Sequence, residues 1–95
     1  MIAGLNKLFE SRIRIGVMAV LMANSSADFL QLKEVLKVTD GNLASHLSVL
    51  EKNSFVKVNK KFVGRKTSTT YEATAKGRKA FREHLDAMES LIKKI

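Results

Sequence analysis

From Lys52 to Tyr71 the chain carries Lys52, Lys57, Lys60, Lys61, Arg65 and Lys66 and no acidic side chain. This fifth of the sequence holds +6 of the net +8 at neutral pH. A surface that only keeps a protein soluble intersperses both signs. Twenty residues of one sign instead fit a polyanion, and cations at this density suit a phosphate backbone. Just upstream, Gly41, Asn42, Ser45 and Ser48 form a run of small neutral side chains ending in Lys52. Asn can pair bidentately with adenine, and a Ser hydroxyl accepts either sense of hydrogen bond. His46 lies at the edge of the same set, either as a base contact or packed on a neighbouring helix or a phosphate.

No catalytic set accompanies these residues. Paired carboxylates, a Ser or Cys nucleophile beside a His and a phosphate-cradling glycine loop are all missing, so an enzyme is not expected. The absence of Cys excludes a disulfide framework and any thiolate metal site. His46 and His84 would need carboxylates to hold zinc, and no spacing supplies them. Neither a metal nor a cofactor is expected.

These side chains need a scaffold, and 95 residues with 45% apolar content suffice for one small domain. The chain has no Pro, so no proline-rich linker divides it. The longest apolar run, near Ile15 to Ala23, is about half the length of a membrane span. Nothing at the N-terminus resembles a signal peptide, so a cytoplasmic location is expected.

Between Ile13 and Ala23 apolar residues recur on two sides of a helix: Ile13, Val17 and Val20 on one, Ile15, Met18, Ala19 and Met22 on the other. A helix apolar all round is buried all round. The second stripe therefore calls for a partner, with Ile15, Met18 and Met22 at a subunit interface. Leu5 to Glu10 reads as a short helix before it, with Ser11 as N-cap of the longer one. Asn24 to Asp28 reads as a polar turn ending in a cap for the next helix, whose Phe29, Leu32 and Leu36 share one face. Val38-Thr39 makes a very short connection to a third helix, opened by Thr39 or Asp40, in which Leu43, Leu47 and Leu50 align. Two helices so joined form a helix-turn-helix. Winding the third helix at about 100° per residue puts Gly41, Ser45, Ser48 and Lys52 opposite the leucines, with Asn42 and Val49 flanking.

After Asn53-Ser54 the period changes to alternation. Val56 and Val58 point one way, Lys57 and Asn59 the other, as on a half-buried strand. Val63 to Ser68 reads as a polar hairpin tip and Thr69 to Ala73 as the return strand. Thr74 caps a last helix in which Phe81, Leu85, Met88, Ile92 and Ile95 follow a heptad-type seam. This seam is expected at a dimer interface. Lys76, Arg78 and Lys79 oppose the helix dipole in its first turn and leave a flanking phosphate as one use. The predicted fold is mainly α with a small β-hairpin: a winged helix-turn-helix with an extra C-terminal dimerisation helix. It forms a single domain over 1–95, with the helix-turn-helix at about 28–53, the wing at about 55–73 and the last helix at about 74–94.

At these strings the chain resembles a known group. GNLASHLSVLEKNSFV, FVGRKTSTTYEAT and AKGRKAF are similar to the small winged-helix regulators related to the MarR and ArsR families. The recognition-helix pattern falls on Ala44-Ser45-His46-Leu47 through Leu50-Glu51, and a second pattern on Thr69, Tyr71, Thr74, Gly77 and Arg78. The likeness spans roughly residues 11 to 90. Two departures stand out. The family has Gly where this chain has Ser54; φ > 0 is favoured there, and Asn53 supplies it less comfortably than Gly. The tip also lacks the family's Pro, which implies a more mobile wing.

The resemblance implies a homodimer that binds operator DNA and represses transcription. The recognition helix offers Gly41, Asn42, Ser45, His46, Ser48 and Lys52 to the major groove. The wing offers Lys60, Lys61 and Lys66 to phosphates and Arg65 to the minor groove. The alternative is a winged helix used as a protein-interaction module, whose sign would be an apolar recognition face or a neutral wing. A lipid-surface domain would need basic residues opposite large exposed apolar ones on one helix, and the basic hairpin does not fit that. No ligand-sensing domain is expected after the last helix, so a small-molecule effector either uses the dimer interface or does not exist.

Overall fold

The computed structural model describes residues 3–94. A short 3-10 turn, Lys7–Phe9, leads into α1 (Arg12–Ala23). A two-residue strand β1 (Ala27–Asp28) follows, then α2 (Phe29–Leu36) and α3 (Asp40–Lys52). Strands β2 (Val56–Val63) and β3 (Lys66–Ala73) form the hairpin, and α4 (Ala75–Lys93) closes the chain. The antiparallel sheet runs β1-β3-β2. This is the winged helix fold expected from the sequence.

The helix starts follow from side-chain caps. Ser11 Oγ accepts from Arg14 N–H at 3.3 Å, Thr39 Oγ1 from Asn42 N–H at 3.2 Å and Thr74 Oγ1 from Gly77 N–H at 2.9 Å. Asp28 and Gln31 exchange both bonds of a capping box. Each such cap satisfies an orphan N–H and contributes about 1 kcal/mol.

Helix α1 is the hub, touching α2, α3, β3, α4 and the N-terminal 3-10 turn. Its Val17, Met18 and Leu21 are fully buried. Met18, expected at a subunit interface, therefore lies in the chain's own core, because neighbours cover α1 from both sides. Ile15 and Met22 are half-buried, packed at the edge of that core. Leu43, Leu47 and Leu50 of α3 complete the inner layer with Leu32 of α2.

A second correction falls on α4. Phe81 begins the expected dimer seam but is buried, edge-on to Phe9 with ring centroids 5.2 Å apart. Phe9 also stacks on Phe55 at 5.7 Å. Only Leu85, Met88 and Ile92 of the seam stay exposed, and Ile95 lies outside the described residues. Arg78 ties α4 to α1. Its guanidinium donates to the Leu21 carbonyl at 3.2 Å, near the C-terminal end of α1 where carbonyls lack helical partners. Lys76 sits 5.7 Å above the Phe55 ring.

The segment read as a polar turn ends in a strand, since Ala27 pairs with Tyr71 and is buried. The hairpin is longer and its tip tighter than expected. Val63 pairs with Lys66, which leaves only Gly64 and Arg65 in the turn. Gly64, at φ +65°, takes the positive φ that a two-residue hairpin turn requires at its first position. The left-handed residue after α3 is Ser54 (φ +61°), whereas Asn53 has φ −89° and donates its side-chain amide to the Val49 carbonyl.

Phe55 and Gly77 join the hairpin to α4. Thr74 N–H donates to the Phe55 carbonyl at 3.0 Å, and the Thr74 hydroxyl donates to the Ser54 carbonyl at 2.6 Å. A Cβ on Gly77 would lie 2.1 Å from the Phe55 oxygen, whereas one on Gly41 would meet nothing within 4 Å. Gly77→Ala is thus expected to destabilise the fold by about 2–3 kcal/mol, the range for overpacking against atoms that cannot yield. Gly41→Ala should stabilise it by roughly 0.5–1 kcal/mol through helix propensity. Urea unfolding midpoints of the two variants should shift in opposite directions; equal shifts would refute the close-approach argument.

Candidate nucleic-acid interface

Burial of the leucine stripe of α3 forces its other face outward. Gly41, Asn42, Ser45, Ser48 and Lys52 are all exposed, as the helical winding predicts. The face is small and neutral except for Lys52 at its end, so it can approach the edges of bases closely. Asp40, the acid in the first turn of α3, is paired with Lys33 at 2.7 Å. That pair offsets a negative charge that would otherwise repel a phosphate beside the helix N-terminus.

His46 does not join this outer face. It is half-buried, with Nδ1 3.0 Å from Arg14 Nη1. A guanidinium only donates, so the ring nitrogen accepts and the imidazole is neutral in this contact. Burial, and then the Arg14 charge, lower its pKa below the ordinary histidine value. Arg14 Nε also donates to the Leu8 carbonyl at 2.6 Å. The pair thereby ties α3 to α1 and the N-terminal segment.

Arg12 and Lys37 join the site although no motif marks them in the sequence. They line one recess of about 410 Å³ together with Thr39 and Asn42 at the start of α3. Lys37 reaches it because it ends α2 in the left-handed conformation (φ +54°). Isolated cations 25 residues apart carry no pattern, and only the fold brings them beside Asn42.

On the hairpin the side chains of Lys60, Lys61, Arg65 and Lys66 are all exposed, within nine consecutive exposed residues from Lys60 to Ser68. The four strand residues Lys60–Val63 span about 14 Å, and Val63 and Lys66 border an open recess with Phe29 and Leu30 of α2. Tyr71, further in, has its pKa raised by burial and then by the Glu51 charge, which keeps the phenol neutral. Among the described residues no helix is long and apolar enough to cross a membrane.

Residues 13–92 match the family model for the winged helix DNA-binding domain. The uncharacterized protein MJ0432 of Methanocaldococcus jannaschii is 37% identical over 89 residues, covering 94% of this chain and 97% of its own length. The structure of a transcriptional regulator homologue from Pyrococcus horikoshii OT3 is similar with a TM-score of 0.80 at 33% identity, covering 93% of this chain and 92% of that one. A MarR-family transcriptional regulator from Silicibacter pomeroyi shares the fold at TM-score 0.72 and 20% identity, covering 87% of this chain and 55% of that one.

The lowered pKa of His46 makes stability depend on pH with a defined sign. The unfolded chain takes up a proton near the ordinary value of 6.5, and the folded chain only at lower pH. The contribution is therefore complete above pH 6.5 and declines as the pH falls toward the folded pKa. In urea titrations at about pH 7.5 and 5.5, the wild type should lose more stability on acidification than His46→Gln, which keeps an acceptor for Arg14 without a titrating ring. Identical pH dependence of the two proteins would rule the contact out as its source.

Proposed function

The chain belongs to the family of winged helix DNA-binding domains, and from that membership we propose that it binds duplex DNA with sequence specificity as a homodimer and represses transcription in the cytoplasm. The observation that carries the reading is the combination of two surfaces. One is the exposed, small and polar outer face of α3, and the other is an acid-free outer wing with four exposed cations. An apolar recognition face or a neutral wing would mark a protein-interaction module, and this chain has neither.

In this proposal Asn42 and Ser45 reach base edges in the major groove, with Ser48 and Lys52 behind them along the groove. Gly41 lets the backbone approach a phosphate at the helix N-terminus. Arg12 and Lys37, lining the recess with Asn42, add phosphate contacts. His46 acts indirectly, by holding α3 to Arg14. Lys60, Lys61 and Lys66 take phosphates flanking the site, and Arg65 at the turn is aimed at a minor groove.

The dimer proposal rests on α4. Leu85 is 48%, Met88 46% and Ile92 73% exposed, and Met88 borders a recess with Leu5 and Ile15. Large apolar residues aligned along one helix face mark a docking surface. A second copy is the occupant proposed, with Ile15 and Met22 at the margin. Two copies would present two α3 helices to half-sites about 34 Å apart, one turn of DNA.

Two measurements test these assignments. Replacing Arg65 and Lys66 together by Ala should reduce the slope of log K against log salt by about 1.8 per protomer, roughly 0.9 for each cation withdrawn from the DNA's charge, whether it sits at a phosphate or between the walls of the minor groove. An unchanged slope would remove the wing from the interface. Selection of bound sequences from a random duplex pool should give the wild type a two-fold symmetric consensus. A Leu85→Glu, Ile92→Glu variant should sediment as a monomer and lose the symmetry. A dimer that survives both charges would overturn the α4 assignment.

A further inference from the structure

Phe62 is 83% exposed and Val63 67% exposed near the end of the hairpin. Val63 borders an open recess with Asp28, Phe29 and Leu30, and Phe62 is the more exposed of the two. Thr would form a strand equally well at these positions, so strand propensity does not explain an aromatic there. Their surroundings are specific. Cross-strand pairs share a face, so Phe62 lies with Thr67 beside the Lys60–Thr69 pair, and Val63 lies with Lys66 beside the Lys61–Ser68 pair. Arg65 occupies the turn. Phe62 thus shares its face with Lys60, while Val63, Lys61 and Lys66 share the other, with Arg65 in the turn and no acid among residues 52–71.

Resting on the DNA-binding reading above, we propose that Phe62 is an apolar wedge that enters the minor groove beside the half-site and partly unstacks a base step. Charge complementarity selects this occupant. Lys60, on the same face as Phe62, and Arg65 at the turn meet phosphates bordering the groove, while its floor offers sugars and base edges to an apolar side chain. The dimensions agree. Two strands about 4.8 Å apart with their side chains are too wide to sink into a groove about 6 Å across. A single aromatic ring at the tip, about as thick as the ~3.4 Å rise per base step, is not. Inserted apolar side chains exact an unstacking penalty that is smallest at flexible pyrimidine–purine steps. Phe62 therefore confers a sequence preference at a position that α3 does not touch.

The test is equilibrium binding of the full chain to a selected duplex across a range of salt, with 2-aminopurine at the flanking step. Phe62→Thr keeps strand propensity and removes the ring; Phe62→Leu restores apolar bulk. The expected result is a loss of roughly tenfold in affinity for Phe62→Thr at every salt concentration, the size of one lost stacking contact. Its log–log line should run parallel to the wild type, Phe62→Leu should recover most of the affinity, and Arg65→Ala should instead flatten the slope. Wild-type binding should raise 2-aminopurine fluorescence, and Phe62→Thr should abolish that rise. A Phe62→Thr line that coincides with the wild type, or fluorescence that does not change on wild-type binding, overturns the wedge and leaves the DNA-binding reading standing. A wild type that fails to bind any duplex overturns both.

Discussion

The close approach of Gly77 to the Phe55 carbonyl fixes how the two halves of the molecule meet. At that point α3 has ended, the hairpin is about to begin and α4 is about to start. Ser54 turns the chain in the left-handed conformation, Phe55 enters the core, and its carbonyl accepts the Thr74 N–H across the base of the hairpin. Only a residue without Cβ lets the first turn of α4 lie this near the backbone. The Phe55 ring then stacks on Phe9, which meets Phe81 and His84 of α4. Recognition helix, wing and last helix are consequently rooted in one aromatic cluster, and none can be repositioned without disturbing the other two.

Much of this was legible from residue types. The caps at Ser11, Asp28, Thr39 and Thr74 were readable because a short polar side chain before an apolar period has one efficient use. The leucine stripe of α3 was equally plain, and its opposite face followed by geometry. What periodicity could not supply was the identity of the cover. Phe81 and Leu85 occupy successive turns of one stripe, yet the chain itself buries the first and leaves the second exposed. Met18 posed the same problem on α1, where the chain itself buries Met18 but leaves Ile15 and Met22 of the same stripe only half-covered. A pattern states that a face must be covered and is silent on what covers it.

The candidate interface was legible in proportion to the locality of its signal. The acid-free charge block was visible because its members are neighbours in sequence. Arg12 and Lys37 were not, since they reach Asn42 only through the left-handed end of α2. The Arg14–His46 contact spans 32 residues and redefines a side chain that winding alone put at the edge of the outer face. The short pairing of β1 with β3 was hidden for a similar reason: two residues carry no period, and their strand character comes entirely from the neighbour they pair with.

The distribution of charge and neutrality also bears on why two copies would be needed. In the proposed complex the cations on the wing would raise affinity for any duplex, because a phosphate carries no sequence. Direct reading of base edges then falls to the few neutral residues on α3, and Phe62 adds a preference only through the deformation it imposes. With Asn42 and Ser45 as the base-reading pair, at about 1–3 kcal/mol for each good contact, one protomer distinguishes its site by roughly 2–6 kcal/mol. A regulator typically prefers its site over bulk DNA by about 4–10 kcal/mol. One copy of so small a reading face reaches at most the lower part of that range. Two copies on a symmetric site double the reading energy without enlarging the domain, and the exposed stretch of α4 from Leu85 to Ile92 is the surface on which the second copy is proposed to sit.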